Sequence, residues 1–121
     1  MSLLALAGAL ALAAEPRRDL SNDPDVRCFL AAAVAGGTVQ ESGDARARAG
    51  ITTVLMYFFG KIEGRLHGTD FKSEMGRLVH SPEFARALPA EMARCGQEAQ
   101  ERGRALQDIG EYLKGLVPPG N

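Results

Sequence analysis

Tryptophan is absent from this sequence, aromatic residues make up only 6%, and histidine occurs twice. Any core must therefore be built from Leu, Val, Ile, Met and Phe, with alanine letting helices approach closely. Basic tracts are missing too. The 14 Lys and Arg stand against 15 Asp and Glu, the formal net charge is -1, and the two signs are interleaved. A nucleic-acid-binding surface needs clustered positive charge, so nucleic acid is excluded as a partner. No apolar run reaches the roughly 20 residues that a membrane-spanning helix takes, so no membrane span is expected in the mature chain. The two cysteines, Cys28 and Cys95, are far apart and fall short of the four ligands, usually in close pairs, of a structural zinc site.

What is present begins with Leu3 to Ala14, LLALAGALALAA, an uninterrupted apolar or small run. It has the length of a signal-peptide h-region, and Ala11-Leu12-Ala13 is a fitting small-x-small cleavage site. Met1-Ser2 supplies no basic residue ahead of it. Leu and Ala without a polar stripe fit an amphipathic surface helix poorly. Residues 1–14 are therefore expected to be a cleaved signal, with cutting near Ala13 or Ala14, and residues 15–121 a single helical domain, periplasmic or secreted. In an oxidising compartment, two distant cysteines suit one structural disulfide, and Cys28 and Cys95 are expected to form it.

In the mature chain, Asp23-Pro24 is a strong helix start, with a capping side chain followed by proline at the first helical position. Val26, Phe29, Leu30, Ala33 and Val34 give that helix an apolar face, and Gly36-Gly37 is expected to end it. A second helix is expected from about Asp44 to His67, stopping at Gly68. Its segment ITTVLMYFFG is apolar nearly all round, which predicts a central, buried helix. Thr69 or Asp70 caps a short third helix carrying Phe71, Met75, Leu78 and Val79. Ser81-Pro82-Glu83 restarts the chain for a turn or two, and Pro89 is expected to open a last long helix to about Leu116, stopped by Pro118-Pro119-Gly120. These elements predict an all-α fold, a compact four- to five-helix bundle-like domain with one disulfide.

The last helix carries a seam. Met92, Cys95, Ala99, Leu106, Ile109, Leu113 and Leu116 occupy the a and d positions of a heptad, and Gly96, Gly103 and Gly110 recur beside it every seven residues. Gly60 and Gly64 share a side of the second helix. Each glycine costs a helix about 1 kcal/mol relative to alanine, so close backbone approach is the expected return. The two glycine sets are expected to face each other as a helix-packing groove.

Chemistry is sparse. Glu63 and His67 are four apart and share a helix face, but a zinc site needs at least one more ligand, and no motif joins His80 to them. No metal and no cofactor is expected. No serine, histidine or cysteine falls in a nucleophile elbow or comparable motif, and the glycines form no phosphate-binding loop. No enzyme is expected. The most unusual polar content is Tyr57, Lys61, Glu63 and Arg65, which follow the most apolar run. They are either a solvated helix end or a patch facing a partner or ligand.

At DVRCFL (Asp25 to Leu30), YFFGKIEGR (Tyr57 to Arg65) and RCGQEAQERGRALQDIG (Arg94 to Gly110) the chain resembles a family of small exported bacterial proteins. Its members share a signal peptide, two cysteines and a Y-F-x-G-R-I-D-G-R-like stretch; Lys61 and Glu63 are conservative departures from its Arg and Asp. That family is uncharacterised and implies no activity. In layout alone the chain is also similar to the HdeA-type acid-stress chaperones of the periplasm, which are small, helical and single-disulfide, though the cysteine spacing here is much longer. The sequence thus points to a non-enzymatic interaction or structural role for an exported protein, through a protein partner or self-association. The alternative is an acid-stress holdase, and a hydrolase with a dispersed site ranks third.

Overall fold

The computed structural model describes residues 20–120, and the segment expected to be a signal lies outside the described residues. Four helices follow in order, α1 (Pro24–Ser42), α2 (Ala45–Arg65), α3 (Phe71–Val79) and α4 (Pro82–Leu116), with no strand among the described residues. Each start is written locally. Asp23 accepts hydrogen bonds from the backbone N–H groups of Asp25 and Val26 at 3.0 and 3.1 Å, with Pro24 just inside. Asp44, Asp70 and Ser81 cap the other three helices in the same way.

Three boundaries differ from the sequence reading. α1 does not stop at Gly36-Gly37 but runs on to Gly43, whose φ of 74° makes the left-handed turn that glycine favours. α2 ends at Arg65, and Gly68 (φ 84°) makes the turn beyond it. Pro89 opens nothing and lies inside α4. A proline in a helix interior loses a backbone bond and crowds the preceding turn, at about 3 kcal/mol. Here Phe84 and Leu88 before it, and Glu91 and Cys95 after it, are all anchored to the rest of the fold. Those contacts anchor the helix on both sides of the proline.

The core is small and lies at one end. Leu20, Val26, Leu30, Ala31, Ile62, Leu66, Leu78 and Phe84 form its larger part; Cys28, Phe58 and Cys95 form the smaller. The Cys28–Cys95 disulfide joins α1 to α4 with a Cα–Cα separation of 5.4 Å. α2 is not the central, fully buried helix expected. Only Phe58 and Ile62 are buried on it, whereas Thr52, Thr53, Met56 and Phe59 are exposed. α1 covers one face of α2, and α4 reaches it around Phe58 and through Tyr57 and Lys61, which leaves the remaining face open.

The glycine groove is also corrected. A Cβ added at Gly60, Gly64, Gly96, Gly103 or Gly110 meets nothing within 4 Å among the described residues. The close approach is elsewhere, at Gly36, where an added Cβ would lie 2.9 Å from Ile51 Cγ2 on α2. The branched Ile51 side chain has little rotamer freedom to yield. Gly37 next to it has open space. Gly37→Ala is therefore expected to raise stability by about 0.5–1 kcal/mol, and Gly36→Ala to give no gain or a loss. Urea midpoints of the two variants check this, and equal gains would contradict the packing.

α4 is 35 residues long, about 50 Å of helix. Its first half is anchored in the core. Every residue from Gln100 to Gly120 is exposed, so the second half leaves the body as an arm.

Candidate functional site

Three of the four residues expected to form a partner- or ligand-facing patch are paired with the chain's own acids. Tyr57, Lys61 and Arg65 are four apart on α2 and line one face. Across from them stand Asp23 and Asp25 at the start of α1, and Glu98 on α4. Lys61 Nζ lies 2.7 Å from Asp25 and 2.8 Å from Glu98. The Tyr57 hydroxyl donates to the same Glu98 oxygen at 2.8 Å. Arg65 Nη2 reaches Asp23 at 3.0 Å and Asp25 at 2.8 Å. The fourth residue, Glu63, stands apart, exposed enough to meet only His67 Nδ1 at 3.7 Å. His80 Nδ1 lies 2.7 Å from the Gly76 carbonyl, within its own helix end.

A second set, which the sequence reading did not single out, adjoins the first. Arg27 is buried, with 7% of its surface exposed, beside the disulfide. Its Nε donates to Glu91 at 2.9 Å, Nη1 to the Ser21 carbonyl at 2.9 Å, and Nη2 to Glu83 at 3.1 Å. Its guanidinium carbon sits 5.4 Å from the centre of the Phe84 ring. Arg94 pairs with Glu91 and donates to the Pro24 carbonyl at 3.2 Å. One sequence signal could have found this set. Arg27 directly precedes Cys28, and Glu91 lies one helical turn before Cys95, so a Cys28–Cys95 bond brings the two charges together.

The electrostatics follow from these pairs. Burial alone would raise Asp23 and Glu91, but the hydrogen bonds outweigh it and hold both below the usual carboxylate range. Arg65 and two backbone N–H groups act on Asp23; Arg94 and Arg27 act on Glu91. Lys61 and then Tyr57 hold Glu98 low as well, against its partial burial. Burial would lower Lys61, yet Asp25 and Glu98 push it up. Tyr57 is raised by burial and by Glu98. Both therefore keep their protons at neutral pH. Among the described residues, metal-capable atoms converge at Cys28, Cys95 and Glu91, within 4.8 Å of one another. The two sulfurs are bonded to each other, and Glu91 is held by two arginines.

The apolar surface lies elsewhere. Between α2 and α4 a cleft of about 460 Å³ runs between Gly50, Ile51 and Val54 on one wall and Gly96 and Ala99 on the other. It continues past Tyr57, Gly103 and Leu106 as a hollow of about 300 Å³ with Arg102 at its edge. Beyond Leu106 the seam of the arm carries on, with Leu106 70%, Ile109 55% and Leu113 53% exposed. Leu116, Val117 and Tyr112 are exposed beside them. Large contiguous apolar surface is uncommon on folded monomeric domains. Among the described residues no helix is long and apolar enough to cross a membrane. Comparison with known protein families, with curated proteins and with solved structures found no match for this chain.

Proposed function

We propose that this is an exported, non-enzymatic interaction protein whose working surface is the α4 arm together with the cleft at its base. The observation that carries the reading is the run of large apolar side chains exposed along the outer half of α4. A helix half of about 15 residues gains little from propensity alone and takes its stability from burying an apolar face. Three glycines, at 103, 110 and 115, weaken it further. Such a helix calls for a cover. Export is supported by the Leu3 to Ala14 run and by the Cys28–Cys95 disulfide, a bond typical of oxidising compartments. The ion pairs have a structural part, fixing α4 at the angle that sends the arm outward.

A photo-reactive residue placed at position 109, compared with one at position 104 on the opposite face, tests this in the producing cell. The expected result is a discrete crosslinked protein from position 109 and only background from 104. Equal background from both would end the reading.

The ion pairs favour a second reading, an acid-responsive holdase. Asp23, Glu91 and Glu98 titrate below their ordinary values. The stability they contribute is thus complete above the ordinary carboxylate range, at about pH 4, and is lost as pH falls through their lowered values. Thermal melts are expected to be steady from neutral pH to about pH 5 and to drop below about pH 4. A holdase must in addition bind an apolar dye and protect a client from aggregation at the low pH. A protein that loses stability without either gain is an acid-labile protein and no chaperone.

A further inference from the structure

We propose that the cover on the α4 arm is the same arm of a second copy, laid antiparallel across it. The inference rests on the reading of this face as an interaction surface and names its occupant.

The seam is self-complementary in that direction. In an antiparallel pair each a position faces a d position of the other helix. Setting Leu106 against Leu116 of the copy puts Ile109 against Leu113 of the copy, and symmetry repeats both pairs. Four consecutive layers are then filled by Leu and Ile alone, as a two-fold interface requires. The flanking positions agree with it. Gly103 and Gly110 on one side of the seam, and Ala105 and Tyr112 on the other, carry no charge, so no like charges oppose one another, and the glycine side lets the backbones approach closely. This gives the exposed glycines a contact that the single chain lacks. The seam's one charged residue, Arg102, falls opposite the end of the copy's helix, where the helix dipole favours a cation.

A parallel pair is disfavoured by the same residues. It would stack Arg102 on Arg102 in the seam. It would also bring the two bodies to the same end, where Ala99 is already half covered by its own chain at the cleft. Antiparallel pairing puts the bodies at opposite ends and carries each Leu116-Val117 end toward the other copy's cleft. With six large apolar side chains from each arm, the pair buries on the order of 1,200 Å², the lower bound for specific stable interfaces.

Light scattering of the disulfide-bonded protein over a concentration series is the test, with Ile109→Glu as the variant. Ile109 has no part in the core, so the variant keeps the wild-type fold and melting profile. The expected result is a dimer at high concentration for the wild type and a monomer throughout for Ile109→Glu. Spin labels on Arg104→Cys and on Glu111→Cys read the direction. Antiparallel arms hold the two 111 labels level with each other and the two 104 labels about 20 Å apart along the axis; parallel arms give equal separations and overturn the geometry. A dimer unaffected by Ile109→Glu uses another surface and overturns the proposal. So does a wild type that stays monomeric while position 109 crosslinks to a different protein, although the interaction reading then survives. A monomer with no crosslink ends both.

Discussion

Breaking the Cys28–Cys95 bond should lower the stability of the fold by about 4 kcal/mol, the chain-entropy value for a closed loop of this size. The separation is 67 residues, and the bond is the covalent tie between α1 and α4. It matters more here than in a larger domain, because only twelve hydrophobic residues are buried among the described residues. A domain with so small a core has a total stability of about 5–10 kcal/mol, so the bond is a large share of it. Chemical denaturation of the protein with and without reductant measures the difference. The Cys28→Ala/Cys95→Ala double variant separates loss of the bond from effects of the reductant. A shift under about 1 kcal/mol would mean that α1 and α4 are held together by their ion pairs and apolar contacts alone.

Truncating Arg27 should cost nearly as much. Removing one partner of a buried ion pair leaves the other charge unmatched and costs about 3–5 kcal/mol. Arg27→Ala strips Glu91 of one of its two arginines, the Ser21 carbonyl of its donor and Phe84 of its covering cation. Glu83, the third partner, has a side chain 61% exposed, so Glu83→Gln should cost under about 1 kcal/mol, as surface pairs do. Arg27→Met keeps the stem on Phe84 and should fall between the two. Urea unfolding of the three variants gives the order. If Glu83→Gln matched Arg27→Ala, the burial argument would fail.

Much of the fold was legible because it is written in local chemistry. Asp23-Pro24, Asp44, Asp70 and Ser81-Pro82 mark all four helix starts, and each caps as its residue type dictates. The stops were less legible. Gly36 looked like a terminator because glycine ends helices, but its real part is steric, admitting Ile51 to within contact of the α1 backbone. Pro89 looked like a start for the same kind of reason. Whether a breaker breaks depends on tertiary contacts on both sides of it, and those are invisible in a window of neighbouring residues.

The patch of Tyr57, Lys61 and Arg65 was found as a face, since residues four apart on a helix align. Its partners were not, because Asp25 and Glu98 approach it only through the α1–α2–α4 arrangement. The arm shows the reverse case. The seam residues do fall on one helix, but a heptad says that a face is apolar and not which chain covers it. Among the described residues α2 reaches only the base of that seam.

Hydrogen exchange along α4 tests the central claim most directly. Amides from Gly103 to Leu116 have no cover from the described chain, and an uncovered half-helix containing three glycines opens easily. At working concentration this stretch is expected to be protected nearly as well as the core around Cys95. Dilution or Ile109→Glu should remove that protection, while the amides near Phe58 and Cys95 stay unchanged. Fast exchange of the arm under every condition, in the cell's own milieu as well as in buffer, would show a helix half that no partner covers and would contradict the account.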